Sequence, residues 1–241
     1  MFIKFGAKDH LEALRTNGAL WFNPCIKFRK WEKDEGVKDT QDGGIKLTAQ
    51  KTHIFDNKGN IDYLGTDKKL GIIIAPAEQT PVFCLYKADK RTDVIDAIED
   101  IRSEFPDYDY ALIINSENDF LENVRYSFKN KAFCHKIFYQ DELSIEFNEF
   151  LFDGQSDIFF YEPKKKNRYY AYAEYKPLNG KTRRLYIDDS NFYKTLFSKN
   201  LNYMKQSEYR IVLPYMQIQE GQYFYINPFE ADLIHISNLG K

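Results

Sequence analysis

The sequence predicts one α+β domain, 1–241, with mixed and mostly antiparallel sheets and a few flanking helices. Three observations carry that expectation. Short β-branched and aromatic runs outnumber helical segments, and most neighbouring runs can pair antiparallel. Hydrophobic residues make up 43% of the 241 positions and aromatics 17%, enough to fill a sizeable core. No repeat, low-complexity segment or flexible linker interrupts the chain.

Phe2-Ile3-Lys4-Phe5 reads as a strand ended by Gly6. Residues 8–16 carry Leu11 and Leu14 on one helical stripe, and Asn17-Gly18 is a stop signal. Ala19-Leu20-Trp21-Phe22 is a second strand, closed by Asn23-Pro24. The polar span 28–44 reads as an exposed loop or frayed helix. Short strands follow at 45–47, 53–55 and 61–63, with Asn57-Lys58-Gly59-Asn60 as the turn between the last two. Residues 71–75 and 82–86 are continuous in apolar side chains, as buried central strands are. Residues 92–105 form an amphipathic pattern with Val94, Ile95, Ile98 and Ile101 inward. Residues 110–114 are a strand, and Ser116 caps a helix beginning near Glu117. A strand over 132–139 and a helix over 143–150 come next. Residues 157–161 and 169–175 suggest a hairpin around the basic run 164–168, with 184–187 as a third strand. A helix from Ser190 to Phe197 leads to the strand Tyr209-Arg210-Ile211-Val212-Leu213, which Pro214 stops because it has no N–H to donate. Strands at 223–225 and 233–236 close the chain.

The formal net charge of −2 supplies no global field toward nucleic acid or a membrane, so only a local patch can do that work. Cys25, Cys84 and Cys134 are widely spaced, without a C-x-x-C pair, and read as reduced thiols rather than zinc ligands. The first residues do not have the pattern of a signal peptide, and no apolar run approaches the length of a membrane span. A cytoplasmic location with no membrane partner is the expectation. His10, His53, His135 and His235 are scattered without ligand spacing, and no Gly-rich phosphate loop, G-x-S-x-G or H-E-x-x-H is present.

Three constellations carry candidate chemistry. The first is Gln206-Ser207-Glu208 at the mouth of the late strand: in a strand, residues two apart share a face, so Gln206 and Glu208 would act together. The plainer reading makes Glu208 and Arg210 one polar face of an edge strand. The second is Asp157 with Glu174-x-Lys176, the layout of Mg²⁺-dependent nucleases of the PD-(D/E)-x-K type, with Glu146 or Glu149 completing the site. The plainer reading is the solvated side of a hairpin. The third is a basic-aromatic hairpin around 156–187, in which Lys165, Arg168 and Arg183, with further lysines and arginines, alternate with tyrosines. Cations can track phosphates and rings can stack on unpaired bases; equally, the tyrosines can pack the sheet while the lysines solubilise its turn.

Phe2-Ile3-Lys4-Phe5-Gly6, His10-Leu11-Glu12-Ala13-Leu14, Asn17-Gly18 and Ala19-Leu20-Trp21-Phe22-Asn23-Pro24 resemble the opening of ADP-ribosyltransferase-fold proteins, with the DarT-like nucleic-acid ADP-ribosyltransferases nearest in shape. The L-W-F-N-P opening, Phe83-Cys84-Leu85, Tyr110-Ala111-Leu112-Ile113-Ile114 and the late E-Y-R-I-V also resemble uncharacterised bacterial and phage proteins. The resemblance implies NAD as a co-substrate and Glu208 as the catalytic carboxylate, with Gln206 orienting the acceptor. It places Lys4 where that fold carries a His or Arg facing the nicotinamide ribose. Gly6 and Tyr203 would line the cofactor site, and Arg29 or Lys30 would meet the pyrophosphate. Lys165, Arg168 and Arg183 would seat a nucleic acid or protein acceptor. The setting implied is phage–host conflict, with an antitoxin or other protein as partner. A non-catalytic binding module on the same fold is the competing expectation.

Overall fold

The structure is a computed structural model that describes residues 1–31, 42–56, 61–89, 94–95, 97–99, 105, 107–141, 144–151, 153, 169–176, 183–188 and 190–238. In chain order the strands and α-helices begin with β1 (Phe2–Gly6), α1 (Lys8–Asn17), β2 (Ala19–Pro24), α2 (Cys25–Trp31), β3 (Ile45–Asp56), β4 (Ile61–Ile72), α3 (Ala75–Glu78), β5 (Pro81–Lys87) and β6 (Tyr110–Ile114). They continue with α4 (Glu117–Ser127), β7 (Phe133–Lys136), β8 (Phe138–Tyr139), α5 (Ile145–Leu151), β9 (Tyr169–Lys176), β10 (Arg183–Asp188), β11 (Ser198–Lys199), β12 (Glu208–Val212), β13 (Gln222–Tyr225) and β14 (Asp232–His235). Short 3₁₀ turns cover Phe192–Phe197, Leu201–Gln206 and Ile236–Asn238. The fold is α+β, and nearly every strand pairing in it is antiparallel. Among the described residues no helix is long and apolar enough to cross a membrane.

Contacts divide the chain into two compact units. The first holds 1–38, 79–137 and 202–241, and the second holds 39–78 and 138–201. The sequence suggests a single domain with an inserted hairpin at 156–187; the second unit takes in that span together with 39–78.

The first unit is built on an eight-stranded sheet whose main path runs β13-β2-β5-β1-β6-β14, with β12 branching from β5 and β7 paired on the far side of β12. Alternation along its strands sends two apolar sets to opposite faces. Phe2, Leu20, Phe22, Phe83, Leu112 and Ile211 join Leu11 and Leu14 of α1 and Phe120, Leu121 and Val124 of α4 on one side. Ile3, Phe5, Tyr86 and Ala111 meet Val94, Ala97 and Ile98 on the other. Ile95, expected inward, is exposed, because 94, 97 and 98 form the buried stripe and 95 turns away from it. Ser116 caps α4 as expected, its side chain accepting from the Asp119 N–H. Gly18 ends α1 at φ +64°, and the Ile226 carbonyl approaches so closely that a Cβ there would lie 2.0 Å from its oxygen, so only glycine fits.

The second unit contains an antiparallel sheet of order β10-β9-β3-β4 and the short parallel pair β8–β11. The three short strands expected at 45–63 are parts of two long ones, each 12 residues, whose ladder passes through the polar middle of both strands with a register shift at Thr52/His53. The expected turn at 57–60 lies outside the described residues. The strand expected at 71–75 ends at Ile72, since Ala75–Glu78 takes helical form with Pro76 near its start, where a missing N–H costs nothing. Phe138, Phe147, Phe150 and Phe197 pack ring to ring. The buried Lys194 donates to the Phe150 carbonyl at 3.0 Å, satisfying an acceptor in the last turn of α5.

Candidate functional site

The site of interest lies in the first unit, where the sheet divides. Along one side β5 pairs with β12, from Val82 opposite Val212 to Tyr86 opposite Glu208. Along the other, β2 holds Pro81 and Val82 while β1 holds Tyr86 and Lys87. Between them Phe83, Cys84 and Leu85 have no ladder partner on that side among the described residues. The Lys87 N–H donates to the Ser207 carbonyl, so odd-numbered backbone groups of β5 face β12 and those of Cys84 face the break. A carbonyl left out of a ladder needs a donor. Lys4 provides it: its Nζ donates to the Cys84 carbonyl at 2.8 Å and lies 4.9 Å from the centre of the Phe83 ring.

On β12, alternation puts Glu208 and Arg210 on one face and the apolar Ile211 on the other. Arg210 stands opposite Cys84 in register. Glu208 is 8% exposed and Arg210 1%. Arg210 Nε donates to Glu208 Oε1 at 2.6 Å and Nη2 to Oε2 at 3.3 Å. The guanidinium also lies 5.9 Å from the centre of the Phe28 ring of α2. The expectation of an edge strand fails here: β12 is interior, with β5 on one side and β7 on the other.

Cys84 links the two ends of the chain. Burial pushes its thiol well above the usual range, the Glu208 charge adds to the rise, Arg210 and Lys4 oppose it, and a hydrogen bond to Glu208 holds the proton further. Burial pushes the Lys4 ammonium down, while the negative character at Cys84 and Glu208 works against that. Lys4 of β1, Cys84 of β5, and Glu208 and Arg210 of β12 therefore form one polar cluster at the break. Cys84 and Arg210 are the members the candidate list lacked. Their signals were available: an arginine two positions beyond the glutamate in an alternating strand, and a thiol in the middle of the apolar run 82–86.

Gln206 and Glu208 are not two successive positions on one strand face. Gln206 ends a 3₁₀ turn, β12 starts at Glu208, and Ser207 between them has φ +40°. That left-handed residue breaks the alternation on which the shared face depended. Ser207 is held by the Met204 carbonyl, which accepts from its N–H at 3.1 Å, and by the Lys87 carbonyl, which accepts from its Oγ at 2.7 Å. Tyr203 is buried within the same 3₁₀ turn. Gly6 is buried at the end of β1, where a Cβ would lie 3.6 Å from Leu11, an ordinary contact. Arg29 is buried on α2, and Lys30 follows it on the same helix.

Arg183, Glu146, Glu149, Glu174 and Lys176 belong to the second unit. Lys165, Arg168 and Asp157 lie outside the described residues, as does the expected hairpin strand 157–161. β9 has β10 on one side and β3 on the other. Register places Glu174 between Arg184 and His53, Lys176 opposite Lys51, and Arg183 opposite Tyr175. Glu146 and Glu149 lie on α5. Among the described residues, no group of three or more His, Cys, Asp or Glu side chains could hold a metal ion. The chain matches no protein-family model, no curated protein and no solved structure.

Proposed function

We propose that the first unit is an ADP-ribosyltransferase-like domain that binds NAD at the break in its sheet and passes ADP-ribose to a nucleic acid or protein. The observation that carries this reading is the convergence of Lys4, from the first strand, and Glu208, from the late strand, on Cys84. In this reading the nicotinamide–ribose bond breaks, its electron pair leaves with nicotinamide, and positive charge develops on the sugar. The Glu208 carboxylate, accepting a hydrogen bond from a ribose hydroxyl, stabilises that charge where it forms. Lys4 replaces the fold's His or Arg, giving a cation and a donor without a planar fork. Gly6, Arg29 and Tyr203 remain cofactor-site proposals, and Gln206, Lys165, Arg168 and Arg183 remain acceptor proposals. Phage–host conflict and an antitoxin partner are carried from the resemblance alone. Glu208→Gln is expected to lower NAD consumption by about 10²-fold or more, with the melting profile showing a folded protein; retained turnover overturns the reading.

A binding module without catalysis is the second reading. It is favoured by Arg210, which already engages both oxygens of Glu208. Calorimetric titration with NAD separates the two: no binding heat and no protection on melting support the module.

A further inference from the structure

We propose that β13 is a dimerisation edge, pairing antiparallel with the β13 of a second copy of this chain. The proposal goes beyond the transferase reading and stands without it, since it asks nothing of the break in the sheet.

The backbone supplies the first argument. β7, β13 and β14 each have one neighbour in the eight-stranded sheet. β13 lies against β2 without a register shift, from Gln222 opposite Phe22 to Tyr225 opposite Ala19. The Ile226 N–H donates to the Gly18 carbonyl at 3.0 Å, so the even-numbered backbone groups of β13 face β2. Those of Tyr223 and Tyr225 face outward. Such a row of donors and acceptors is a template for another strand, and proteins guard it with charge, proline or a bulge. β14 carries Asp232 and β7 carries Lys136, whereas Gln222-Tyr223-Phe224-Tyr225 has neither charge nor proline.

The side chains identify the occupant. Trp21, Tyr223 and Tyr225 are 41%, 39% and 63% exposed, and they share one face of the β2–β13 pair. The Tyr223 ring meets Trp21 edge to face at 4.7 Å, and Tyr225 follows it at 6.5 Å. Neither β2 nor β13 holds a Lys or Arg, so a phosphate backbone would find no counter-charge on these strands. A second β13 meets no like charge there. One two-fold register uses all the outward groups: Tyr223 of each copy opposite Tyr225 of the other, each pair exchanging both of its backbone hydrogen bonds. The tyrosine rings then lie side by side across the join, with Trp21 flanking them on each side. Phe224, whose ring packs on Phe22 at 5.2 Å, falls opposite its own counterpart. A whole aromatic side chain covers about 150–250 Å². The exposed parts of these rings therefore give a contact at the low end of specific interfaces, below about 1,200 Å², and the dimer is weak and concentration-dependent.

Sedimentation velocity on the full chain tests this from about 1 μM to about 300 μM, the range that a contact of this size demands. The expected result is a reversible shift from one copy to two. Tyr223→Pro removes an outward N–H and spares the bonds to β2, so it should weaken the dimer. Tyr223→Lys with Tyr225→Lys places lysine opposite lysine twice in this register and should weaken it at least about tenfold. Tyr223→Glu with Tyr225→Lys places Glu opposite Lys twice and should recover most of that loss. The two paired variants alter exposed side chains alone, so they serve even where the proline variant does not fold; circular dichroism checks each. An unaltered protein that stays monomeric throughout, or assembles beyond two copies, overturns the proposal. So does a dimer indifferent to the paired lysines, or a Glu/Lys variant no tighter than the Lys/Lys one.

Discussion

Arg210 clasps Glu208 from two positions along the same strand, Nε to Oε1 at 2.6 Å, with both side chains buried. Neither charge can be removed alone without stranding the other. Arg210→Met should therefore cost about 3–5 kcal/mol, the usual penalty for leaving one member of a buried pair uncompensated. Adding Glu208→Gln to it should recover more than half of that loss. Urea denaturation of the two single variants and the double variant measures the coupling. Strictly additive losses would show that the two side chains do not act as a pair.

Ser207 tests the junction that presents Glu208. Its φ of +40° is strained for any residue with a Cβ, and its hydroxyl offsets part of that by donating to the Lys87 carbonyl. Ser207→Ala keeps the strain and loses the hydrogen bond, so it should destabilise by about 1 kcal/mol. Ser207→Gly loses the same bond but relieves about 1 kcal/mol or more of backbone strain, and should fall close to the parent. Midpoints in urea give the order; a glycine variant weaker than the alanine variant would contradict it.

Stability at alkaline pH should fall in a window set by Cys134. Burial pushes its thiol up to about 12, with Arg125 pulling it partly back. A group whose folded pKa is raised holds its proton better in the folded state. Its contribution is complete below the unfolded thiol pKa of about 8.5 and is lost as pH climbs through the folded value. Cys134→Ala should flatten the decline between those limits in a series of urea midpoints, and an unchanged slope would remove Cys134 from the account. Burial raises Cys84 and Tyr209 as well and works in the same direction, whereas the lowered Lys4 works in the opposite one.

What the sequence made legible was local. β1, α1, β2, β5, β6 and α4 follow from alternation, one apolar stripe and the Gly18 and Ser116 signals, all read within a few residues. The late strand was visible as well, along with the acid at its mouth. The expected strand face for Gln206 failed because Ser207 adopts a left-handed turn that nothing in Gln206-Ser207-Glu208-Tyr209 announces, such turns being signalled by Gly or Asn. The break in the sheet was hidden for a different reason. It depends on which residues of β5 face β1, β2 and β12, and register between distant strands is not written in any one of them. The full length of β3 and β4 was obscured by Thr48 to Thr52 and by Thr66 to Lys69, polar runs that read as loop until each strand has its partner.

The second unit is assembled from two stretches separated by 79–137. During synthesis β3 and β4 emerge early and can close as a hairpin at once. The free side of β3 nevertheless waits for β9, which is made only after the central stretch of the first unit. A newborn chain thus carries an unsatisfied row of backbone donors and acceptors through nearly half of its translation, the kind of ledge on which neighbouring chains pair wrongly. Slowing the ribosome between residues 79 and 137 should lengthen that exposure, whereas a helper that shields strand edges should shorten its consequences.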